Sequence, residues 1–186
     1  LANLIIDSVQ SSILDWFDVY QRDLPWRQTN NSYHIWVSEV MLQQTRVNTV
    51  VPYYLRWVEK YKSIKSVAKA DELKLLKLWE GLGYYSRCRN FYKACKIIVN
   101  DYGGEIPSDY QKFLLLPGVG DYTASAVFSI GLKQTYADTD GNVRRVMARV
   151  LQIKNITTQN KKRINTTLIK WIDQETPANK NQALTE

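Results

Sequence analysis

The chain has 186 residues, 45% hydrophobic and 23% charged, enough to bury a substantial core in one large or two small domains. No run of about 18 apolar residues occurs, and the opening LANLIIDSVQSS has acidic and amide residues where a signal peptide needs a basic start and a continuous apolar stretch. A net charge of +7 favours an anionic partner such as nucleic acid, although many proteins are basic for solubility alone. We therefore expect an intracellular protein with no membrane partner. The first residue is Leu and the closing NQALTE has no helix-ending Gly or Pro, so we also expect a longer natural protein.

Hydrophobic residues recur at three- and four-residue steps along the chain, as amphipathic helices require. In the first helix these positions are Ile5, Val9, Ile13, Trp16, Phe17 and Tyr20. Further helices are predicted at 35–43, 46–61, 71–80, 85–101, 108–115, 122–132, 141–151 and 160–174. Breaks between them fall at Pro25, Gly81 to Gly83, Gly103, Gly104, Pro107, Pro117 to Gly120 and Pro177. Since no stretch alternates like a strand, the sequence predicts an all-α fold of roughly nine helices. We expect two helical lobes with a cleft between them.

The segment LPGVGDYTA, residues 116–124, lies between two predicted helices. Glycines without side chains let the backbone amides at the start of the next helix approach a phosphate, where exposed N–H groups and the helix dipole favour negative charge. This is typical of a helix-hairpin-helix contact with DNA. A tight turn between packed helices is the alternative interpretation.

The segment SEVMLQQT, residues 38–45, places one carboxylate, Glu39, in an otherwise apolar helix flanked by Trp36 and Met41. Such a group loses hydration, so its pKa should rise and it can donate a proton near neutral pH. A salt-bridged or solvent-facing Glu is the alternative. In a third segment, 137–145, Asp140 directly precedes a predicted helix, where a plain N-cap is the default explanation.

Five segments together are more specific than any one of them. They are LPWR at 24–27, SEVMLQQT at 38–45, GLGYYSRCRN at 81–90, LPGVGDYTA at 116–124 and DGNVRRV at 140–146. In order and interval they resemble the helix-hairpin-helix DNA glycosylases, and most closely the MutY-type adenine DNA glycosylases, from Trp16 to the end of the chain. The resemblance implies a monofunctional N-glycosylase of base excision repair that removes adenine mispaired with 8-oxoguanine or guanine. Its partner is double-stranded DNA with a mismatched or oxidised base pair, from which the adenine is flipped. The enzyme is expected to be a monomer that works in the cytoplasm, at the bacterial nucleoid or otherwise inside the cell.

The resemblance also implies roles for individual residues. Glu39 matches the acid that protonates adenine at N7 and then helps water attack. Asp140 matches the carboxylate that stabilises the cationic sugar. Asn142 and Tyr122 match the residues that hold the water and both carboxylates in place.

The matching DNA-binding and pocket positions follow by the same route. Positions that wedge into the duplex or contact its backbone are Gln43, Gln44, Thr45, Leu82, Tyr84, Gly118, Val119 and Gly120. The pocket that receives adenine is matched by Trp26, Arg27, Leu42 and Glu186. The carbonyls of Leu114, Leu116 and Val119 match a hairpin site for a monovalent cation.

Two features of the family are missing from this sequence. Full-length members carry four cysteines for a 4Fe-4S cluster beyond the point where this chain stops, followed by a domain that reads 8-oxoguanine. The catalytic region that is present should form the two lobes predicted above. The central lobe is expected at about 26–132, and the second lobe combines the N-terminal helix with about 133–186. The chain has two cysteines, Cys88 and Cys95, which share the C-x6-C interval of the cluster's first pair but lie in a predicted helix, so we expect structural thiols and no cofactor within the chain. The single histidine, His34, is expected on the surface or in a loop and not as a metal ligand.

Three other functions remain open. A thymine glycosylase acting on G:T mismatches can also carry Tyr at the position of Tyr122, although the QQT and GLGYY segments argue against it. A glycosylase-lyase of the endonuclease III type would need Lys there. A catalytically silent DNA-binding module would keep the glycines and basic residues but has no reason to retain both Glu39 and Asp140.

Overall fold

The computed structural model of the chain describes residues 2–137, 141–172 and 177–185. These residues form helices and connecting loops without a strand, so the all-α prediction is confirmed. Eleven α-helices are present in the described ranges: α1 Ala2–Tyr20, α2 Ser32–Leu42, α3 Val47–Lys60, α4 Ile64–Ala68, α5 Glu72–Trp79, α6 Ser86–Asp101, α7 Tyr110–Leu114, α8 Asp121–Ala126, α9 Gly141–Val150, α10 Thr158–Trp171 and α11 Pro177–Thr185. A 3-10 turn occupies Pro25–Arg27, and a π-helical turn occupies Val127–Gly131. Within the described ranges, no helix is both long and apolar enough to cross a membrane.

The chain divides into two compact units. One is continuous and comprises Leu24–Val127, here called the central unit. The other combines Leu1–Asp23 with Phe128–Glu186 and is called the terminal unit. Both have their own hydrophobic core.

The core of the central unit is built on large aromatic side chains. Trp36, Trp57 and Trp79 are each almost completely buried. The Trp36 ring packs edge-on against Phe91 with 4.6 Å between ring centroids. Such aromatic pairs add specific geometry to the burial of apolar area, so they fix α2 against α6.

The core of the terminal unit is aliphatic by comparison. Its buried members come from α9, α10 and α11 and are Val143, Met147, Ala148, Ile164, Leu168, Trp171 and Leu184. Two hydrogen bonds connect distant segments of this unit: Gln10 Nε2 donates to the Trp171 carbonyl over 2.9 Å, and Asn181 Nδ2 donates to the Tyr136 carbonyl over 2.7 Å. The N-terminal helix is therefore tied to the C-terminal part of the chain.

Three elements differ from the sequence prediction. Helix α4 was not predicted because five residues are too few to show a helical period, yet Ser63 and Ser66 cap it reciprocally. Pro177 was predicted to break a helix and instead begins α11, since proline is well tolerated at the first helical position. The predicted helix at 122–132 changes to π-helical geometry from Val127 onward.

Candidate active site

Glu39 lies in the middle of α2, a helix that is buried on nearly every side. The helix begins where the Asn31 side chain accepts a hydrogen bond from the Tyr33 amide. Every residue from Ile35 to Met41 is buried, and Glu39 itself is only 7% exposed. The solvent-facing alternative for this carboxylate is therefore wrong.

Burial dominates the electrostatics of Glu39. It raises the pKa of the carboxyl from 4.5 to about 7, against the opposing effects of a hydrogen bond with the Tyr122 side chain and the positive charge of Arg27. The predicted upward shift is thus confirmed. Glu39 Oε2 is buried and has no hydrogen-bond partner among the described residues. Near neutral pH the group exists in both protonation states, as a proton donor and acceptor requires.

Tyr122 reaches Glu39 from the first turn of α8. Helices α2 and α8 are also joined where Gln43 Nε2 donates to Thr123 Oγ1 over 3.2 Å. The phenol of Tyr122 remains partly exposed while it bonds the buried carboxyl. The structure therefore brings together two of the four predicted catalytic residues.

The other two predicted catalytic residues belong to the segment at the start of α9. Asn142 is the second residue of that helix, in the terminal unit, and is exposed. Asp140 lies outside the described residues. Their roles stay predictions.

The hairpin between α7 and α8 needs glycine at Gly118. Its φ is +78°, a conformation that other residues rarely adopt, and an added Cβ would lie 2.8 Å from the Asn90 Cβ. A turn hydrogen bond runs from the Val119 amide to the Leu116 carbonyl over 3.1 Å. Gly120 is the N-cap of α8 with extended backbone and, as a glycine, has no side chain with which to cap the helix. The local geometry fits a helix-hairpin-helix element; its contact with phosphate stays a prediction.

Two loops carry the predicted wedge residues. Gln43, Gln44 and Thr45 follow α2, and Gln44 is exposed with φ +56°. In the loop before α6, Leu82 is buried, whereas Tyr84 is 58% exposed with φ +46°. Positive φ at non-glycine residues is uncommon and clusters at functional sites.

Arg87 joins these two loops, and the sequence analysis missed it. Its guanidinium donates hydrogen bonds to both loops from the first turn of α6. The sequence shows only an arginine near a predicted helix start, which looks like an ordinary surface cation.

Three of the four predicted pocket residues lie in the central unit. Trp26 is buried in the 3-10 turn and packs edge-on against Tyr54, with 5.2 Å between ring centroids. Arg27 follows it and acts electrostatically on Glu39. Leu42 is half-buried at the end of α2, whereas Glu186 lies outside the described residues.

The cysteines do not fit a cluster site. Both are buried in α6, and burial raises the pKa of the Cys88 thiol to about 12 and that of Cys95 well above its ordinary value. In the parts of the chain that are described, no group of three or more His, Cys, Asp and Glu residues could hold a metal ion. The expectation for His34 was wrong in part, because it lies half-buried in α2 and not in a loop, in edge-on contact with Tyr33 and Tyr54. The cation site at Leu114, Leu116 and Val119 stays a prediction.

The hairpin, the helical units and the buried acid define the class of a helix-hairpin-helix repair protein, and comparison with known proteins agrees. The model of the HhH-GPD superfamily of base excision DNA repair proteins matches residues 37–174. The chain belongs to this family, as its five motifs predicted.

Similar proteins include several named adenine DNA glycosylase. The chain is 42% identical over 178 residues to that of Buchnera aphidicola, covering 93% of this chain and 50% of the relative. It is 43% identical over 157 residues to that of Mus musculus, covering 80% and 30% respectively. The chain thus spans half or less of the length of these relatives.

Solved structures share the fold. A thermostable thymine-DNA glycosylase superposes with a TM-score of 0.89 at 27% identity, covering 98% of this chain and 85% of that one. A DNA complex of endonuclease III superposes with a TM-score of 0.79 at 24% identity, covering 96% and 82%. At that identity the second likeness speaks for the fold alone.

Proposed function

We propose that this chain carries the catalytic region of a monofunctional adenine DNA glycosylase, which excises adenine mispaired with 8-oxoguanine or guanine. The observation that carries the proposal is Glu39, a buried carboxyl with a pKa of about 7 that is hydrogen-bonded by Tyr122. Identities of 42% and 43% to proteins named adenine DNA glycosylase support the choice of base. The net charge of +7 suits a DNA duplex. The proposal also takes the enzyme to work inside the cell as a monomer.

In the proposed reaction the duplex delivers a flipped adenine beside Glu39. Glu39 donates its proton to N7, and the bond between C1′ and N9 breaks with its electron pair passing to the base. The sugar becomes cationic, and Asp140 stabilises that charge as a second carboxylate does in glycoside hydrolysis. Water then adds to C1′ and gives a proton to the Glu39 carboxylate. The products are free adenine and an intact abasic site.

Tyr122 and Arg27 keep this acid usable. Without their opposing effects, burial alone would push the pKa of Glu39 still higher and leave it a weaker proton donor. The hydrogen bond from Tyr122 also orients the carboxyl. The role proposed for Asn142, from the family resemblance, is to hold the attacking water.

The direct test uses three duplexes of one sequence that differ only in a central pair: A opposite 8-oxoguanine, A opposite guanine, and T opposite guanine. After incubation with the protein, hot alkali converts abasic sites into strand breaks. We expect breaks at A in the first two duplexes and not at T. Breaks at T alone would overturn the proposal, and binding of all three without any break would favour a silent DNA-binding module.

A thymine glycosylase is the second candidate function. The observation that favours it is the superposition on a thermostable thymine-DNA glycosylase with a TM-score of 0.89. The lower identity of 27%, against 42% for adenine DNA glycosylases, ranks it second.

The monofunctional part of the proposal has a separate test. Lyases of this kind form an imine between a lysine and the sugar, whereas the phenol of Tyr122 cannot form one. Borohydride should therefore trap little protein on DNA in the wild type and much more in Tyr122→Lys. If the wild-type protein were trapped on DNA efficiently, at the rate of base release, the monofunctional assignment would be contradicted.

A further inference from the structure

Arg87 is a buried arginine that the proposed reaction does not use. It lies in the first turn of α6 and is only 8% exposed. Among the described residues no carboxylate pairs with it, so its charge is balanced by carbonyl and hydroxyl dipoles and by the ring faces of Trp79 and Tyr84. A cation buried in this way is held for its hydrogen-bond geometry.

The two terminal nitrogens of the guanidinium divide their contacts among three short segments. Nη1 donates to the end of α2 and the loop after it, at the carbonyls of Val40 (3.2 Å), Met41 (2.8 Å) and Gln43. Nη2 donates to Thr45 Oγ1 (3.1 Å) in that loop and to the Leu82 and Gly83 carbonyls (both 3.2 Å) in the other. The last carbonyls of a helix have no partner within it, so Arg87 satisfies acceptors that α2 leaves open.

Both exposed wedge candidates are bracketed by these contacts. Gln44, with φ +56°, lies between Gln43 and Thr45, which both accept from Arg87. Tyr84, with φ +46°, directly follows Gly83, and its ring centroid lies 5.4 Å from the Arg87 Cζ. Left-handed backbone at such residues persists only where surrounding structure fixes it. One guanidinium supplies that fixation for both loops.

We propose that Arg87 is a positioning residue for mismatch recognition: it couples the two loops so that Gln44 and Tyr84 enter the duplex as one preformed wedge. This inference rests on the proposed function, because it assigns the wedge to a mismatched duplex. A preformed wedge loses little conformational freedom on insertion, which favours the mismatched complex over a paired one. Lysine cannot replace arginine here, since an ammonium lacks the planar fork that reaches both loops at once.

The test compares Arg87→Lys with Arg89→Lys. Arg89 lies on the same helix but is exposed and pairs with Glu72 over 3.6 Å, so it controls for the loss of a guanidinium. Affinity is measured for a duplex with A opposite 8-oxoguanine and for its fully paired counterpart. We expect Arg87→Lys to weaken mismatch binding about tenfold and to leave paired binding within about twofold, because phosphate contacts dominate the latter. Arg89→Lys should change neither beyond that margin.

A spectroscopic readout follows the wedge itself. A 2-aminopurine next to the mismatch brightens when the stack is opened. At saturating protein, Arg87→Lys should give a smaller increase than the wild type and Arg89→Lys an equal one. Equal mismatch preference and equal brightening in both variants would overturn the inference.

Hydrogen exchange of the free protein separates this inference from the proposed function. Amides of residues 43–45 and 81–84 should exchange faster together in Arg87→Lys, whatever base the enzyme removes. If the wild type shows no mismatch preference, the proposed function fails while the exchange result still decides the coupling. If Arg87→Lys does not fold, Thr45→Val removes one acceptor of Nη2, and both loops should again exchange faster. Faster exchange at 43–45 alone would contradict coupling.

Discussion

Glu39 and Arg87 are both charged residues buried in the central unit, yet they differ in how many hydrogen bonds their side chains make. Their exposed fractions are 7% and 8%. Each has one buried atom without a hydrogen-bond partner among the described residues, Glu39 Oε2 and Arg87 Nε, but the terminal nitrogens of Arg87 make six hydrogen bonds. A buried group that is left incompletely satisfied is costly to stability and suits chemistry. A buried group whose hydrogen bonds reach several segments of the chain fixes those segments relative to one another.

The largest expected effect is the loss of base removal in Glu39→Gln. Glutamine keeps the shape of the side chain but cannot donate the proton, so the single-turnover rate of adenine release should fall about 10²–10⁴-fold. Mismatch affinity should stay close to that of the wild type in a gel-shift titration. Turnover near the wild-type rate would remove Glu39 from the mechanism, and lost affinity would give it a structural role.

For Arg87, the substitution Arg87→Met should destabilise the fold by about 3–5 kcal/mol, because buried carbonyl oxygens would lose their hydrogen-bond donor. The measurement is the free energy of unfolding in urea, with Arg89→Met as the exposed control. The control should stay within about 0.5 kcal/mol of the wild type. Equal, small effects in both variants would mean that the hydrogen bonds of Arg87 contribute nothing net.

Replacing Glu39 should change the free energy of unfolding in the opposite direction, towards higher stability. Because burial raises its pKa from 4.5 to about 7, the folded state keeps a proton that the unfolded chain releases between these values, so stability falls as pH rises through this window. Glu39→Gln cannot ionise and should raise the free energy of unfolding by up to about 3 kcal/mol at pH 8. Near pH 4.5 it should change little. A destabilised Glu39→Gln at pH 8 would contradict the comparison.

The two residues also differ in how far the sequence predicted them. Glu39 could be found because its apolar neighbours stand beside it in the same helix, and those neighbours alone imply desolvation. The partners of Arg87 lie up to 47 residues away, and its role depends on how α6 packs against the end of α2. The residues next to Arg87 in the sequence therefore do not indicate these contacts.

The fold shows the same limit. Long amphipathic runs predicted most helices, and the glycines at 118–120 predicted the hairpin. Helix α4 was not predicted because five residues are too few to show a helical period of hydrophobic residues. The start of α11 was not predicted because Pro177 is compatible with either the end of a helix or its first turn.

The central claim is that Glu39 acts as the proton donor with a pKa near 7, and the pH dependence of adenine release tests it most directly. Single-turnover rates of the wild type should fall as pH rises through about 7, since only the protonated carboxyl can donate. The Tyr122 hydrogen bond lowers this pKa, so in Tyr122→Phe the falling limb should move to higher pH. A wild-type rate that stays constant from about pH 6 to about pH 9, or a limb that does not move in Tyr122→Phe, would contradict the account.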